Sequence, residues 1–434
     1  MLCLVLLSMG SSSVRGAKAA SLPNIVIFVT DDQRDGLEAM PKTVAWLGKG
    51  GTRYANAFAT TPLCCPSRAS IFSGRYAHNH GVTSNSDPRD LNQQTTMQYY
   101  LDRAGYRTGI FGKYMNSWLA QRPPYFDTWA IFGKAATSYS GGEWNVQGTI
   151  QTVSQYATHF IGDKAQTFLN SASSQPWFLY LAPPNPHVPY TAEAKYKSAP
   201  IPPWTCTPAV MEADRSDKPP YVRLFNRSCS KGKEIRVKQL RTLMSVDDLV
   251  DRVLRTIQAN GELSHTLVFF LSDNGHLWSE HGLGGKRHAY LKSIQIPMFA
   301  RWPGHIPAGA VDQRLVANID VAPTVLDAVG LTTTTRMDGH SLLSAYKRDR
   351  MLTEYWSGGN WSGPVQGDPV PDWASLYTLN GQFVRYYKPD GTVAFREYYD
   401  LEADPWELSN LFNPPAGWEA QLTADRACAG ASCP

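Results

Sequence analysis

The sequence has no long apolar run, no large excess of one charge and no internal repeat. Its 434 residues include 41 Lys and Arg against 37 Asp and Glu, and this net charge of +4 does not argue for a nucleic acid partner. The apolar stretch at residues 2–7 is far too short to cross a bilayer, and no other segment is a transmembrane candidate. Apolar residues at 43% and charged residues at 18% are typical of a globular protein. The small positive charge is compatible with an anionic substrate or simply with a solvated surface.

Residues 1–20 resemble a signal peptide. The apolar stretch is followed by small residues that end in Ala17-Lys18-Ala19-Ala20, similar to an A-x-A cleavage site. No Lys or Arg follows Met1 directly, so the true start of the signal peptide stays open. We therefore expect export, to an extracellular or periplasmic location.

Cysteine is scarce, and its positions predict two local disulfides in an oxidising compartment. The expected pairs are Cys206 with Cys229, which flank a polar insertion, and Cys428 with Cys433, near the end of the chain. Cys3 lies in the predicted signal peptide, so Cys64 and Cys65 remain, and adjacent cysteines rarely bond to each other because the geometry is strained. These two cysteines therefore need another explanation.

Three apolar runs predict the strands of an α/β fold. Residues 23–30, 177–182 and 266–272 are rich in β-branched and aromatic side chains and show no alternation. Such runs are typical of strands buried on both faces, as in a mostly parallel sheet covered by helices. The clearest helix is predicted over residues 240–258, where apolar side chains recur at helical spacing before Asn260-Gly261. Polar residues follow each run, at the strand ends where such sheets bind ligands.

The composition changes after about residue 345. A chain of this length suggests one large domain and a smaller one, which we place at residues 21–345 and 346–434. Short antiparallel strands are predicted in the second domain over residues 375–379, 383–387 and 393–399. A last helix is predicted after Asp404-Pro405. The second domain is therefore expected to be a small α+β unit.

The most informative segment is Pro62-Leu63-Cys64-Cys65-Pro66-Ser67-Arg68, which contains the order C-x-P-S-R. Pro66 near a helix start and Gly74 at its end predict that Cys64 lies at a helix N-terminus, where backbone N–H groups favour an anion. The segment resembles the motif read by formylglycine-generating enzymes in sulfatases of the alkaline phosphatase superfamily. The resemblance implies that such an enzyme acts on this chain during maturation and converts Cys64 into a formylglycine nucleophile. Cys65 occupies the free x position.

Other segments are similar to motifs of that family in the same order, so the resemblance spans about residues 23–411. They are Asp31-Asp32, Gly105-Tyr106, Gly112-Lys113, Pro186-His187, Ser272-Asp273-Asn274-Gly275, Gly284-Gly285-Lys286, and residues 320–326, 338–342 and 399–405. The resemblance implies an alkaline phosphatase-like large domain with a mixed, mostly parallel sheet. It also implies a small C-terminal domain with an antiparallel sheet.

Four oxygen donors at strand ends indicate a metal site: Asp31, Asp32, Asp273 and Asn274. Hard oxygen donors suit Ca²⁺, or Mg²⁺ if the cavity is smaller, and the absence of thiolate and imidazole ligands argues against zinc. Two carboxylates that close a buried apolar strand are costly to leave without a cation. The resemblance adds Cys64, as hydrated formylglycine, to the metal ligands.

The resemblance also assigns roles to four further side chains. Arg68 is expected to fix the nucleophile beside the metal. Lys113 and Lys286 are expected to hold the sulfate oxygens, where negative charge grows as the S–O bond breaks. His187 lies in a proline-rich loop at a strand end and is the expected acid for the leaving alcohol.

One position departs from the family. Many sulfatases carry Gly-Lys-x-His, whose histidine helps the second half of the reaction, whereas this chain reads Gly112-Lys113-Tyr114-Met115-Asn116. Asn116 cannot accept a proton as a base does, so the base for sulfate elimination stays open. We expect Asn116, His78 and His80 to contact the substrate. This departure, together with Cys64-Cys65 and His78-Asn79-His80, resembles the N-acetylglucosamine-6-sulfatase and heparan endosulfatase branch more than the arylsulfatases.

The function implied by the resemblance is hydrolysis of sulfate esters on a sulfated sugar or an aryl alcohol. The expected partners are a sulfated small molecule or glycan, with no nucleic acid and no membrane span. Two alternatives stay open: a phosphonate or phosphate ester hydrolase of the same superfamily, and a sulfated-glycan-binding protein that has lost catalysis. The missing Gly-Lys-x-His histidine keeps the second alternative open.

Overall fold

The computed structural model describes residues 22–86, 88–133, 139–357 and 370–434. The predicted signal peptide lies outside these residues. Among the helices of the described ranges, none is both long and apolar enough to cross a membrane.

Most strands of the described chain belong to one large sheet. The first twelve strands in chain order, ten of which form this sheet, are β1 (Asn24–Thr30), β2 (Thr52–Phe58), β3 (Arg107–Lys113), β4 (Thr128–Phe132), β5 (Gly142–Val146), β6 (Thr149–Val153), β7 (Trp177–Ala182), β8 (Thr266–Ser272), β9 (Leu277–Trp278), β10 (Gly284–Gly285), β11 (Met298–Arg301) and β12 (Ala310–Ala317). The large sheet has the order β12-β2-β11-β8-β1-β7-β3-β4-β5-β6, and β9 and β10 form a separate short ribbon.

The centre of the large sheet is parallel and buried on both faces. β1 pairs in parallel with β7 and β8, and β3 pairs in parallel with β7 and β4. Ile25 and Ile27 pack into one hydrophobic core, whereas Val26 and Phe28 pack into a second core on the opposite face. Two buried faces explain why the strand sequences are continuously apolar. The predicted mixed, mostly parallel sheet is confirmed, and so are its three central strands.

Helices cover both faces of this sheet. In chain order they include α1 (Pro41–Thr43), α2 (Cys64–Ser73), α3 (Ala77–His80), α4 (Met97–Arg103), α5 (Ala157–Asn170), α6 (Pro208–Met211), α7 (Cys229–Ala259), α8 (Leu291–Ile294) and α9 (Val321–Ala328).

The helix α7 begins much earlier than the sequence predicts. The apolar spacing marks residues 240–258, but the helix starts at Cys229, where the Ser228 side chain accepts a hydrogen bond from the Lys231 N–H. The added residues carry five charged side chains, and Ile235 and Val237 are the only Ile, Leu, Val, Met or aromatic residues among them, so hydrophobic spacing could not reveal them. The predicted disulfide between Cys206 and Cys229 is confirmed and ties this helix start to the preceding insertion.

The predicted antiparallel sheet lies towards the C-terminus, but it has four strands, because β13 (Met351–Tyr355) joins the three that the sequence predicts. Its strands, in both chain and sheet order, are β13, β14 (Asp372–Tyr377), β15 (Gly381–Tyr387) and β16 (Val393–Asp400). The last helix, α10 (Trp418–Asp425), begins well after Asp404-Pro405, because turns and the Pro414-Pro415 pair occupy the residues between. The disulfide Cys428–Cys433 is confirmed. The domain boundary at residues 345 and 346 stays a prediction.

A buried glutamate in this region makes stability depend on pH. Glu407 is only 4% exposed and accepts hydrogen bonds from the Leu291 N–H, and burial raises its pKa to about 8. Because the folded pKa lies above the unfolded value, this group stabilises the fold below about pH 4.5, and that stability is lost as pH rises through about 8.

We expect Glu407→Gln to reduce this loss, because glutamine accepts the same bond without ionising. Between pH 5 and pH 8 the wild type should lose about 2 to 4 kcal/mol more free energy of unfolding than Glu407→Gln. Urea unfolding at both pH values measures the difference. Glu402→Gln, at an exposed position five residues away, is the control and should follow the wild type. Equal pH slopes for wild type and Glu407→Gln would contradict the assignment.

Candidate active site

The candidate active site forms where two neighbouring parallel strands end. Asp31 and Asp32 follow β1, and Asp273 and Asn274 follow β8. The register pairs Thr30 with Ser272, so the four residues meet at one edge of the sheet. The Asp32 N–H donates to Asp273 Oδ1 at 3.1 Å, and the Asn274 side-chain amide donates to Asp32 Oδ1 at 2.8 Å. Parallel pairing therefore brings together donors that are about 240 residues apart.

Cys64 is the first residue of α2, as the sequence predicts, and it points at this edge. Its Sγ lies 3.5 Å from Asp31 Oδ1 and 2.8 Å from the Lys286 Nζ. Burial raises the pKa of the thiol to about 12, although Lys113 and Lys286 act in the opposite direction. An unmodified Cys64 is therefore a thiol at neutral pH and a poor nucleophile.

Arg68 lies one turn further along α2 and is fully buried. Its Nε and Nη2 both lie 2.9 Å from Asp273 Oδ2, and its Nη1 donates to the Lys113 carbonyl at 3.0 Å. Nη2 also lies 3.8 Å from Asp31 Oδ2. Arg68 therefore connects the helix that carries Cys64 to the carboxylates of both strands.

Two lysines form ion pairs with the carboxylates that follow β1. Lys113 ends β3, and its Nζ lies 2.6 Å from Asp31 Oδ2, while Lys286 contacts Asp32 Oδ1. Gly112 makes the approach of Lys113 possible, because a Cβ at this position would lie 2.0 Å from the Ala182 carbonyl oxygen. Burial alone raises the pKa of Asp31, but the surrounding cations, Lys113 above all, outweigh it and hold that pKa well below its usual range.

His187 reaches the same edge from the loop after β7. Its Nδ1 lies 2.8 Å from the Val188 carbonyl oxygen, and its Nε2 lies 3.8 Å from Asp32 Oδ2. The Tyr139 hydroxyl donates to the backbone carbonyl of His187 at 2.6 Å and holds the loop. The ring therefore presents Nε2 to the site.

A cavity of about 880 Å³ opens above these groups. Several predicted residues line it, namely Cys64, Lys113, Asn116, His187 and Lys286. The sequence did not single out Asn85, Ser86 and Glu143, which line it as well. Met115 stands where Gly-Lys-x-His sulfatases carry histidine, and its side chain is buried in the hydrophobic core. Asn116 therefore faces the cavity without replacing that histidine as a base.

Two predicted substrate contacts lie elsewhere. His78 pairs with Glu354 at 2.9 Å and lies 2.9 Å from the Cys428 carbonyl oxygen, so it attaches α3 to the C-terminal residues. His80 is 4% exposed, and its Nε2 lies 3.1 Å from the Ser70 hydroxyl. Neither histidine is among the residues that line the cavity. The prediction rested on their closeness to the Cys64 motif along the chain, but α3 directs both side chains to other partners.

Sequence reasoning missed His276 and Tyr190. His276 is buried with Nδ1 3.9 Å from Asp32 Oδ2, and its Nε2 lies 3.3 Å from the Tyr190 hydroxyl. Its position two residues after Asn274 was the available indication. No sequence pattern indicated Tyr190, because a tyrosine beside prolines is common in loops.

The donor set fits a hard cation such as Ca²⁺. Asn274 Oδ1 is buried and accepts no hydrogen bond from the described residues, so it is an orphaned oxygen donor beside Asp32. Ligand atoms of Asp31, Asp32, Cys64 and His187 all lie within 4.8 Å of one another. Carboxylate and amide oxygens are ligands that Ca²⁺ prefers, whereas the sulfur of unmodified Cys64 is not. An oxygen at residue 64 would match the rest of the set.

Buried carboxylates, adjacent cations and a helix N-terminus at the carboxyl edge of a parallel sheet are the features of a binding site for an anionic ligand. Residues 23–331 match the sulfatase family model, and residues 279–425 match the model for the C-terminal part of N-sulphoglucosamine sulphohydrolase. The chain belongs to the sulfatase family, and it is an enzyme of the sulfuric ester hydrolase class.

Individual relatives agree with this assignment. The chain is 30% identical to an N-acetylglucosamine-6-sulfatase of Homo sapiens, over 94% of this chain and 84% of the relative. It is 34% identical to the extracellular sulfatase SULF-1 homolog of Drosophila melanogaster, over 77% of this chain and 32% of that protein. The predicted resemblance to the branch that contains these two kinds of sulfatase is confirmed.

Solved structures share the fold. A protein in complex with its substrate D-glucosamine-2-N,6-O-disulfate superposes with a TM-score of 0.75 at 23% identity, over 93% of this chain and 96% of that one. A phosphonate monoester hydrolase of Agrobacterium radiobacter superposes with a TM-score of 0.70 at 20% identity, over 92% and 93% of the two chains. The predicted alkaline phosphatase-like fold is confirmed.

Proposed function

We propose that this sulfatase hydrolyses sulfate esters of sugars with a formylglycine formed from Cys64 and a bound Ca²⁺. The observation that carries the proposal is the position of Cys64, at a helix N-terminus among three carboxylates and three cations. Asp31, Asp32, Asp273 and Asn274 would hold the Ca²⁺, which would supply Lewis-acid chemistry at the sulfate. Hydrated formylglycine supplies two hydroxyls on one carbon, one to attack sulfur and one to expel sulfate.

The other side chains bind the substrate and move protons. Lys113 and Lys286 face the cavity with buried ammonium groups and would bind the sulfate oxygens as negative charge develops on them. Arg68 holds Asp273 and the end of β3 in place. His187 Nε2 would protonate the alcohol oxygen as its bond to sulfur breaks, since Nδ1 is already bound to a carbonyl.

We also propose where the enzyme acts and what it meets. The N-terminal resemblance to a signal peptide, two disulfides and an extracellular relative support secretion to an extracellular or periplasmic location. A formylglycine-generating enzyme would modify the chain during maturation. N-acetylglucosamine-6-sulfatases among the relatives support a sulfated glucosamine as substrate.

A comparison of matched esters tests this proposal. We expect kcat/KM for 4-nitrophenyl sulfate to exceed that for 4-nitrophenyl phosphate by ~100-fold, because an oxygen nucleophile at residue 64 is repelled less by a sulfate monoanion than by a phosphate dianion. Release of inorganic sulfate from N-acetylglucosamine 6-sulfate and from other sulfated sugars identifies the natural alcohol. A preference for the phosphate ester, or for a phosphonate monoester, would favour the phosphonate hydrolase alternative. The Cys64→Ala protein, prepared in parallel, excludes contaminating hydrolases.

A further inference from the structure

The segment that carries Lys286 lies between two sheets. Gly284 and Gly285 pair with β9. The residues after Lys286 then contact the C-terminal sheet β13–β16, hereafter the small sheet. Arg287 has φ of +82°, a left-handed conformation that costs free energy for a residue with a side chain. The surroundings must therefore hold the backbone next to Lys286 in place.

Two buried side chains of the small sheet bind this backbone. Trp373 in β14 donates its indole N–H to the Arg287 carbonyl at 2.8 Å, and Gln382 in β15 donates its amide to the Ala289 carbonyl at 2.7 Å. Trp373 is 1% exposed and Gln382 is fully buried. A buried carbonyl that loses its donor keeps the full cost of desolvation, so both bonds restrain the segment strongly.

Further contacts extend the same attachment. The Tyr290 hydroxyl donates to Glu397 Oε1 at 2.9 Å, and Glu397 also accepts from the hydroxyls of Tyr386 and Tyr399 at 2.6 Å each. Glu407, in the turn that flanks the small sheet, also accepts the Leu291 N–H, so the contacts extend from Arg287 to Leu291. The position of this segment is thus set by the C-terminal sheet.

Lys286 needs such support because its side chain is flexible. Four methylene groups separate its ammonium from the backbone, and the ammonium must reach both Asp32 and Cys64, whose Sγ lies 2.8 Å away. We propose that Trp373 and Gln382 are positioning residues for Lys286, which they hold at the reacting sulfate through the backbone of Arg287 and Ala289. This inference rests on the proposed function, in which Lys286 binds the sulfate.

Removal of either donor tests the inference. Trp373→Phe keeps a buried ring but deletes the N–H, and Gln382→Met keeps the volume but deletes the amide. With 4-nitrophenyl sulfate, whose good leaving group keeps slow variants measurable, each should lower kcat by ~10- to 100-fold and change KM less, because displacement of Lys286 affects the transition state most. Trp418→Phe is the control, since Trp418 lies in α10 and packs on Tyr398.

A double-mutant cycle separates positioning from a general structural role. In a Lys286→Ala background, Trp373→Phe and Gln382→Met should each lower kcat by less than ~2-fold, since the group they position is gone. The same factor in both backgrounds, or no loss in the wild type, would overturn the inference. Lys286→Ala activity equal to the wild type would instead overturn the role of Lys286 in the proposed function.

Discussion

Asp31→Asn is expected to lose calcium and activity together. Asp31 is fully buried between Lys113, Arg68 and Cys64, and its carboxylate is one of the charged ligands proposed for Ca²⁺. Asparagine keeps the shape but removes the charge, which weakens the metal site and leaves the Lys113 ammonium buried without its partner. We expect kcat/KM to fall by at least ~10³-fold, since both metal and electrostatic stabilisation are lost.

Metal content and thermal stability measure this effect separately from activity. Elemental analysis should find about one calcium per wild-type chain and much less in Asp31→Asn. Chelation should lower the Tm of the wild type, because a ligand bound only by the folded state stabilises it, and should change the Tm of the variant little.

The control for Asp31 is Asp35→Asn, in the same loop. The Asp35 side chain is 46% exposed and pairs with Arg34, outside the donor set, so this variant should retain calcium and activity. An inactive but folded Asp31→Asn protein with full calcium occupancy would show that the metal site lies elsewhere.

Cys64→Ser is expected to stall after a single turnover. The hydrated aldehyde has two hydroxyls on one carbon and can expel sulfate with the second, whereas serine has only one. A serine at position 64 that reacts beside Lys286 should accept sulfate and retain it as an ester. Rapid-mix kinetics should therefore show at most one alcohol released per active site, followed by a rate at least ~10³-fold below the wild type.

Mass spectrometry and a neighbouring cysteine provide the matched comparison. In wild-type protein made with a formylglycine-generating enzyme, we expect an aldehyde at residue 64 and a thiol at residue 65. Cys65→Ser should remain active, because Cys65 is buried and its Sγ accepts the Asn116 N–H at 3.2 Å, a hydrogen bond that a serine oxygen can also accept. Sustained turnover by Cys64→Ser at the wild-type rate would rule out elimination of sulfate by a second hydroxyl.

The electrostatic balance of the site explains why both effects should be large. Three carboxylates lie against Arg68, Lys113 and Lys286 in a buried setting, so the negative and positive charges of these six side chains balance each other. Removal of one charge from such a set leaves another without compensation, and the cost in a poorly solvated site exceeds that of a surface pair.

The sequence predicted the centre of the fold because that part depends on local composition. Strands β1, β7 and β8 are buried on both faces, so each appears as an uninterrupted apolar run that ends in polar residues. The start of α2 at Cys64 and its end before Gly74, which has φ of +65°, also follow from residues a few positions apart. The candidate metal and sulfate ligands follow these short segments directly.

Only the tertiary structure decided which polar groups face the cavity. His78 and His80 follow the Cys64 motif along the chain, yet α3 packs them against Glu354 and Ser70. Asn85 and Glu143, by contrast, lie in segments without a motif and line the cavity. Their positions depend on how loops pack over the sheet, which neither residue spacing nor periodicity records.

The segment around Lys286 shows most clearly what the sequence reveals and what only the tertiary structure reveals. The Gly-Gly-Lys segment was recognisable from its residues, since its chemistry lies within three positions. Trp373 and Gln382, which bind the backbone just after it, are 86 and 93 residues distant from their partners, and both lie just outside the strands that the sequence predicts. Hydrogen bonds between distant segments form only when both sheets have packed. The sequence therefore determined which groups carry the chemistry, and the tertiary structure determined what holds them in position.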